Sequence, residues 1–171
     1  MGPTESFTFP AERIGVEGFS PSILRMNHRC HTLLRQTLMA VHPEEGCALL
    51  IGSGLQGDVL NLTTVWPCCN VWGCGNRHKR FLLDPREQLA AQQWARRHDQ
   101  CVLGVAHSHP AAAAEPSVHD RRWAEPERVM LIVAAAGGIG AWWVQRDRTL
   151  TDITIQVWDT RKHGERAGAE C

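Results

Sequence analysis

Two histidines one residue apart, His107 and His109, lie in the run Gly104-Val105-Ala106-His107-Ser108-His109-Pro110, and Ser117-Val118-His119-Asp120 follows. Two imidazoles and a carboxylate make a three-ligand zinc set. Three protein ligands leave a fourth position for water, which is the catalytic rather than the structural pattern. Residues 102–106 are mostly apolar and read as a short strand running into His107. Side chains alternate along a strand, so His107 and His109 point the same way. A lone histidine is usually an ordinary core or surface residue; a pair at this spacing, at a strand end before a proline, reads as ligands. Asp120 has a second role open to it, because Ser117-x-x-Asp120 is also a capping-box-like helix start. The roles are compatible, since a helix start there holds the Asp rotamer and sets Ser117 one turn away on the same face. His119 is the rival third ligand, but on a helix its ring points about 100° away from Asp120.

A water activated at such a site needs a carboxylate to take its proton and pass it to the leaving amine. Glu44 and Glu45 are the candidates. If the strand beginning at Cys47 extends backwards, Glu45 shares a face with Cys47 and Leu49, and Glu44 lies on the other. Without the two histidines, both would read as solvated loop acids. Ser108 falls between the ligands on the opposite face and is expected to orient backbone rather than react.

The segment His107-Ser108-His109-Pro110, six residues, then Ser117-x-x-Asp120 resembles the JAMM (MPN-plus) metallopeptidase motif, H-[ST]-H-P-x6-S-x-x-D. An upstream family pattern, P-x-E-x-C-G-x-L-x-G, is similar to residues 43–52, Pro43-Glu44-Glu45-Gly46-Cys47-Ala48-Leu49-Leu50-Ile51-Gly52, with Ala48 in place of the usual Gly. The resemblance spans about residues 22–145 and is to the small stand-alone prokaryotic type. It implies a single α/β MPN domain, a mixed and mostly antiparallel sheet flanked by helices, with a cytidine-deaminase-like architecture. It implies one Zn2+ per chain on His107, His109 and Asp120, Glu45 as general base and Ser117 as oxyanion donor. The implied substrate is a ubiquitin-like or sulfur-carrier protein, cut at the amide bond after a Gly-Gly tail. Such a tail could lie along an exposed strand edge beside the metal. Two other classes stay open. A non-catalytic MPN-type binding module would keep the fold, although such relatives lose these residues. A zinc deaminase would need a Pro-Cys-x-x-Cys pair, which the sequence lacks.

The elements that must position these groups follow from pattern. A first strand is expected at 22–26, then a helix at 27–41, capped by Asn27, with Leu33, Leu34, Leu38 and Met39 on one side and His42-Pro43 ending it. Strands 47–51 and 59–66 read as a hairpin turning at Gly52-Ser53-Gly54. Residues 67–79 are irregular. Asp84-Pro85 opens a helix to about His98 that buries Leu89, Gln92 or Gln93, and Trp94 to differing degrees. After the metal strand come a short helix at 117–124 and three strands ending near Trp158. Residues 129–144 carry no charge but are slightly short for a membrane span. Gly137-Gly138 divides them into a hairpin.

The 171 residues, 43% of them hydrophobic, suffice for one core and one domain. That domain is expected at 21–160, with flexible tails at 1–20 and 161–171. A formal net charge of zero gives no global attraction to nucleic acid or an anionic membrane. Seven cysteines, an odd number, and no recognisable secretory leader point to a reducing cytoplasm. Cys68, Cys69 and Cys74 lack zinc-site spacing and read as an ordinary loop that could face substrate. The basic run Arg77-His78-Lys79-Arg80 reads as a solvated surface, or else as a contact for an acidic partner. Oligomeric state stays open.

Overall fold

A computed structural model of the chain describes residues 20–73 and 75–159. The expected tails, Ser20 apart, lie outside the described residues, as does Cys74. The element order is β1 (Ile23–Asn27), α1 (His28–Met39), β2 (Cys47–Gln56), β3 (Val59–Cys68), α2 (Pro85–Arg97), β4 (Cys101–His109), α3 (Val118–Trp123), β5 (Arg128–Ala134), β6 (Ile139–Val144), β7 (Leu150–Asp152) and β8 (Thr154–Trp158).

All eight strands form one mixed sheet in the order β7-β6-β5-β4-β2-β3-β1-β8. The β2–β3, β2–β4, β5–β6 and β6–β7 pairs are antiparallel. The β1–β3, β1–β8 and β4–β5 pairs are parallel. The expected three C-terminal strands are four, because the last segment divides at Ile153. Its first half pairs with β6 and its second half with β1, at opposite ends of the strand order. The Ile153 N–H donates to Ala141 O at 3.0 Å and the Thr154 N–H to Ser22 O at 2.8 Å. Consecutive residues reach both ends only if the sheet curls back on itself.

Strand alternation sorts β2 between two cores. Ala48 and Leu50 pack with Leu34 and Leu38 of α1 inside the curl, and Cys47, Leu49 and Ile51 pack with Ala91 and Ala95 of α2 outside it. Ala48, where the JAMM pattern has Gly, therefore faces α1. Asn27 caps α1, its side chain accepting from the Cys30 N–H at 2.7 Å. The buried stripe of α1 is Cys30, Leu34 and Leu38, and Leu33 is 45% exposed, off the expected face. Asp84 caps α2 and Pro85 opens it, as expected. Its buried side is Gln88, Ala91, Gln92 and Ala95, at helical spacing, with Trp94 partly buried against the same core, as expected, and Leu89 exposed, off the expected face. The small alanines let α2 lie close to the sheet.

The expected turn at Gly52-Ser53-Gly54 is strand. The chain reverses instead at Gly57, which has φ +65°, and Asp58. Irregular pairing on either side of Gly52 and Ser53 bends β2 there. Gly52 belongs to this bend because a Cβ on it would meet Asn61 O of the neighbouring strand. The hairpin of β5 and β6 closes on Gly137, at φ +109°. No helix of the described residues is long and apolar enough to cross a membrane.

Candidate active site

β4 supplies two ligand positions. It is central, bonded to β2 on one side and to β5 on the other, with His107 opposite Cys47 and Ile132. Its side chains alternate, so His107 and His109 emerge together while Ser108 turns to the α1 side. The Ser108 hydroxyl accepts from the Gly46 N–H at 2.8 Å and donates to Leu38 O at 3.1 Å. That buried hydroxyl ties the end of α1 to the segment carrying Glu45 and to the metal strand. Gly46 is needed at this crossing, since a Cβ there would collide with the Leu38 backbone.

α3 brings the third position. Ser117 caps it in a capping box: the Asp120 N–H donates to Ser117 Oγ at 3.1 Å, and the Ser117 N–H donates to Asp120 Oδ2 at 2.8 Å. The same carboxylate reaches both histidines, with His107 Nε2 3.3 Å from Oδ1 and His109 Nε2 3.3 Å from Oδ2. The two Nε2 atoms are 3.2 Å apart. His107, His109 and Asp120 are all buried and form the group of donor atoms that could hold a metal ion among the described residues. His119 is not part of it; its ring packs edge-on to Trp72 at 5.8 Å.

This donor set fits zinc. Metal–ligand bonds of about 2.0–2.2 Å place tetrahedral ligands about 3.3 Å from one another; the two Nε2 atoms are 3.2 Å apart, and each lies 3.3 Å from a different oxygen of Asp120. The tautomer also fits. His109 Nδ1 lies 2.8 Å from Ala113 O, and a carbonyl only accepts, so Nδ1 carries the proton and the neutral ring offers its Nε2 lone pair to the group. Phe81 stacks on His107, centroids 4.5 Å apart, and holds that ring from the side.

Burial opposes charge on Asp120, but hydrogen bonds from His107 and His109 prevail and hold it well below the ordinary carboxylate range. The Asp120 hydrogen bond raises the pKa of His109 against the cost of burial. Burial lowers that of His107, with Asp120 pulling the other way.

Glu45 is 5% exposed, and burial raises its carboxyl to about 7, with the charge of His109 opposing and that of Asp120 assisting. Its backbone is held on both sides: its N–H donates to Arg77 O at 2.7 Å, and its carbonyl accepts from Asn70 Nδ2 at 3.0 Å. Glu44 also lines the cleft but is half exposed and lies 3.7 Å from Arg77 Nη1. Glu45, His109 and the exposed Ser117 all line one cleft of about 1010 Å³.

Asn70 and Phe81 are site-supporting residues that the sequence reading does not single out. Asn70 makes four bonds. Its Nδ2 donates to Glu45 O and Arg80 O, and its Oδ1 accepts from the Trp72 and Leu82 N–H groups. The irregular stretches 69–73 and 75–83 are thus joined to the site by one amide. No spacing announces such a residue; only an asparagine in an otherwise irregular stretch hints at it. The basic run 77–80 lines the cleft, and His78, Lys79 and Arg80 are exposed, in keeping with a solvated surface. Cys47 and Cys68 are thiols with raised pKa, chiefly from burial, and Cys47 donates to Cys68 O at 3.5 Å. They fill the α2 side of the core as small apolar groups. The free strand edge expected beside the ligands is not there, because β4 is paired on both sides. The cleft walls at 75–80 and 110–112 take that position.

A family described as prokaryotic homologs of the JAB domain, Prok-JAB, matches residues 28–145, and the chain belongs to it. The His107, His109 and Asp120 set agrees with the JAMM motif. The fold is similar to a solution structure of a protein from Desulfitobacterium hafniense, at 29% identity and a TM-score of 0.68, over 80% of this chain and 93% of that one. It is also similar to one from Salinibacter ruber, at 26% identity and a TM-score of 0.61, over 80% and 92%. No match was found among curated proteins.

Proposed function

We propose that this chain is a zinc metallopeptidase that hydrolyses the amide bond following a Gly-Gly pair in the tail of a ubiquitin-like, sulfur-carrier-type protein. The observation that carries the catalytic reading is the convergence of a buried carboxyl with a raised pKa, Glu45, and an exposed hydroxyl, Ser117, on the cleft that opens onto His109. When bound by His107, His109 and Asp120, zinc supplies Lewis acidity to a carbonyl oxygen and lowers the pKa of a water. Glu45 accepts the water's proton and returns it to the leaving amine, a shuttle suited to a group that titrates near neutral pH. Ser117 Oγ accepts from the Asp120 N–H, so its own proton is available to the oxygen that becomes negative as the carbonyl is attacked.

The tail specificity rests on family resemblance joined to shape. A carbonyl inside a folded ladder is not offered to a cleft, whereas an extended tail is, and glycines let it pass close to the walls. Cys30, Cys47, Cys68 and Cys69 are free thiols, which suits the reducing cytoplasm this reading assumes.

Elemental analysis of protein purified without chelator should give about one zinc per chain. Glu45→Gln should keep the metal and the fold and lose about 10²–10⁴-fold in turnover, while Glu44→Gln stays active. Mass spectrometry of Gly-Gly carriers with C-terminal extensions should show the trimmed product. Rapid zinc-dependent digestion of generic peptides, with such carriers left intact, would sink the substrate assignment.

A further inference from the structure

One wall of the cleft is basic, in a chain whose formal net charge is zero. Arg77, His78, Lys79 and Arg80 all line it. The run is pinned to the site at both ends. Arg77 O accepts from the Glu45 N–H at 2.7 Å, and the Phe81 ring stacks on His107 at 4.5 Å. The three residues between those anchors span at most about 10 Å of chain, so their side chains sweep the space beside the reacting centre. Arg77 lies 3.7 Å from Glu44 and is partly neutralised. Among the described residues, neither Lys79 nor Arg80 pairs with a carboxylate. The Arg80 guanidinium sits over the Trp72 ring at 5.4 Å, a contact that orients it without using its N–H donors.

Resting on the metallopeptidase reading, we propose that Lys79 and Arg80, assisted by Arg77, bind the free α-carboxylate of the fragment that leaves. These cations then favour a leaving fragment that ends in a free carboxylate over one that continues as a longer chain. An extended chain advances about 3.3 Å per residue, so a carboxylate one or two residues past the scissile bond stays within the cleft whose wall carries these cations. Water adds its oxygen to the carbonyl carbon, the C–N bond breaks, and the proton held by Glu45 passes to the amine nitrogen. The amine takes a second proton, released by the newly formed carboxylic acid, and the fragment departs as a zwitterionic amino acid or dipeptide. A longer chain presents a neutral amide at the same place and leaves both cations to solvent. Arg80 can hold a carboxylate through two parallel N–H bonds.

The test uses the full chain carrying Glu45→Gln, loaded with zinc, and reads binding rather than turnover. Its probes are acetyl-Ala-Gly-Gly-Ala as the free acid and as the C-terminal amide, followed by calorimetry or by NMR shifts of cleft residues. The free acid should bind at least about 10-fold tighter. Lys79→Gln with Arg80→Gln should erase the difference, and Arg80→Lys should keep part of it. Equal affinity for acid and amide overturns the proposal, as does a preference that survives the double substitution. Weakened binding of a whole carrier by the double substitution, with acid and amide equal, would assign the wall to the carrier's acidic body and also overturn it. Lack of turnover of Gly-Gly carriers by the unmodified protein bears on the proposed function alone, so the two failures can be told apart.

Discussion

Asp120 has three duties within one carboxylate. It closes the capping box of α3, it lies 3.3 Å from the Nε2 atoms of two imidazoles, and it belongs to the metal set. Ser117 is the other half of that box, so its removal acts twice. Ser117→Ala should cost about 1 kcal/mol of stability as a lost cap and about 10²–10³-fold in kcat as a lost oxyanion donor. Thermal melts and steady-state rates measure the two separately, and an unchanged kcat would leave Ser117 as a cap alone. Glu45 yields a pH prediction for metal-stripped protein. Its carboxyl moves from 4.5 to about 7 on folding, so the folded state holds the proton more tightly. Stability from this group is complete below the unfolded pKa and is lost as pH rises toward the folded one. Metal-stripped wild type should therefore weaken between about pH 4.5 and 7, on the order of 2–3 kcal/mol, relative to metal-stripped Glu45→Gln. Denaturant melts across that range check it; parallel curves would show that burial does not penalise the charge.

At the scale of elements, the site depends on segments that touch it through few bonds. The segment of residues 69–73 and 75–83 is held by Asn70, which satisfies two carbonyls and two N–H groups at once. Asn70→Ala should retain metal but loosen both the backbone of Glu45 and the basic wall, raising KM and exposing the segment to limited proteolysis. A protease pattern identical to wild type would mean that the Arg77–Glu45 and Phe81–His107 contacts suffice. Ser108 links α1, the Glu45 segment and β4 through one buried hydroxyl. Ser108→Ala leaves a buried donor and acceptor unpaired and should cost about 1–3 kcal/mol, read as a lower denaturation midpoint with an unchanged m-value.

At the scale of the whole molecule, closure of the sheet falls on residues 150–158, which bond to β6 and then to β1. Ile153, at the division, is 6% exposed and packs in the core inside the curl with residues from both ends of the sheet. Ile153→Ala should cost about 2–5 kcal/mol through lost burial and a cavity at the seam. Hydrogen exchange should then quicken in β1 and β6 together. Faster exchange confined to β7 and β8 would show that the seam does not carry the closure.

Residue type and spacing alone made the ligand candidates legible. The i, i+2 histidines need only strand alternation to share a face, and Ser117-x-x-Asp120 needs only a helix start. Those relations are local, and local geometry is what sequence period encodes. Asn27 and Asp84 as caps, and the glycine turn between β5 and β6, were readable for the same reason. The placement of Gly52-Ser53-Gly54 was not, since a bend inside β2 and a turn after it share the same residue types. Only the neighbouring strand decides between them. Leu33 and Leu89 were misplaced on their helices because periodicity leaves a choice of stripe, which the curl of the sheet settles. The cleft, the tethering of the basic run 77–80 and the role of Asn70 depend on contacts between segments far apart in sequence. Packing, not pattern, brought Glu45, His109 and Ser117 onto one surface.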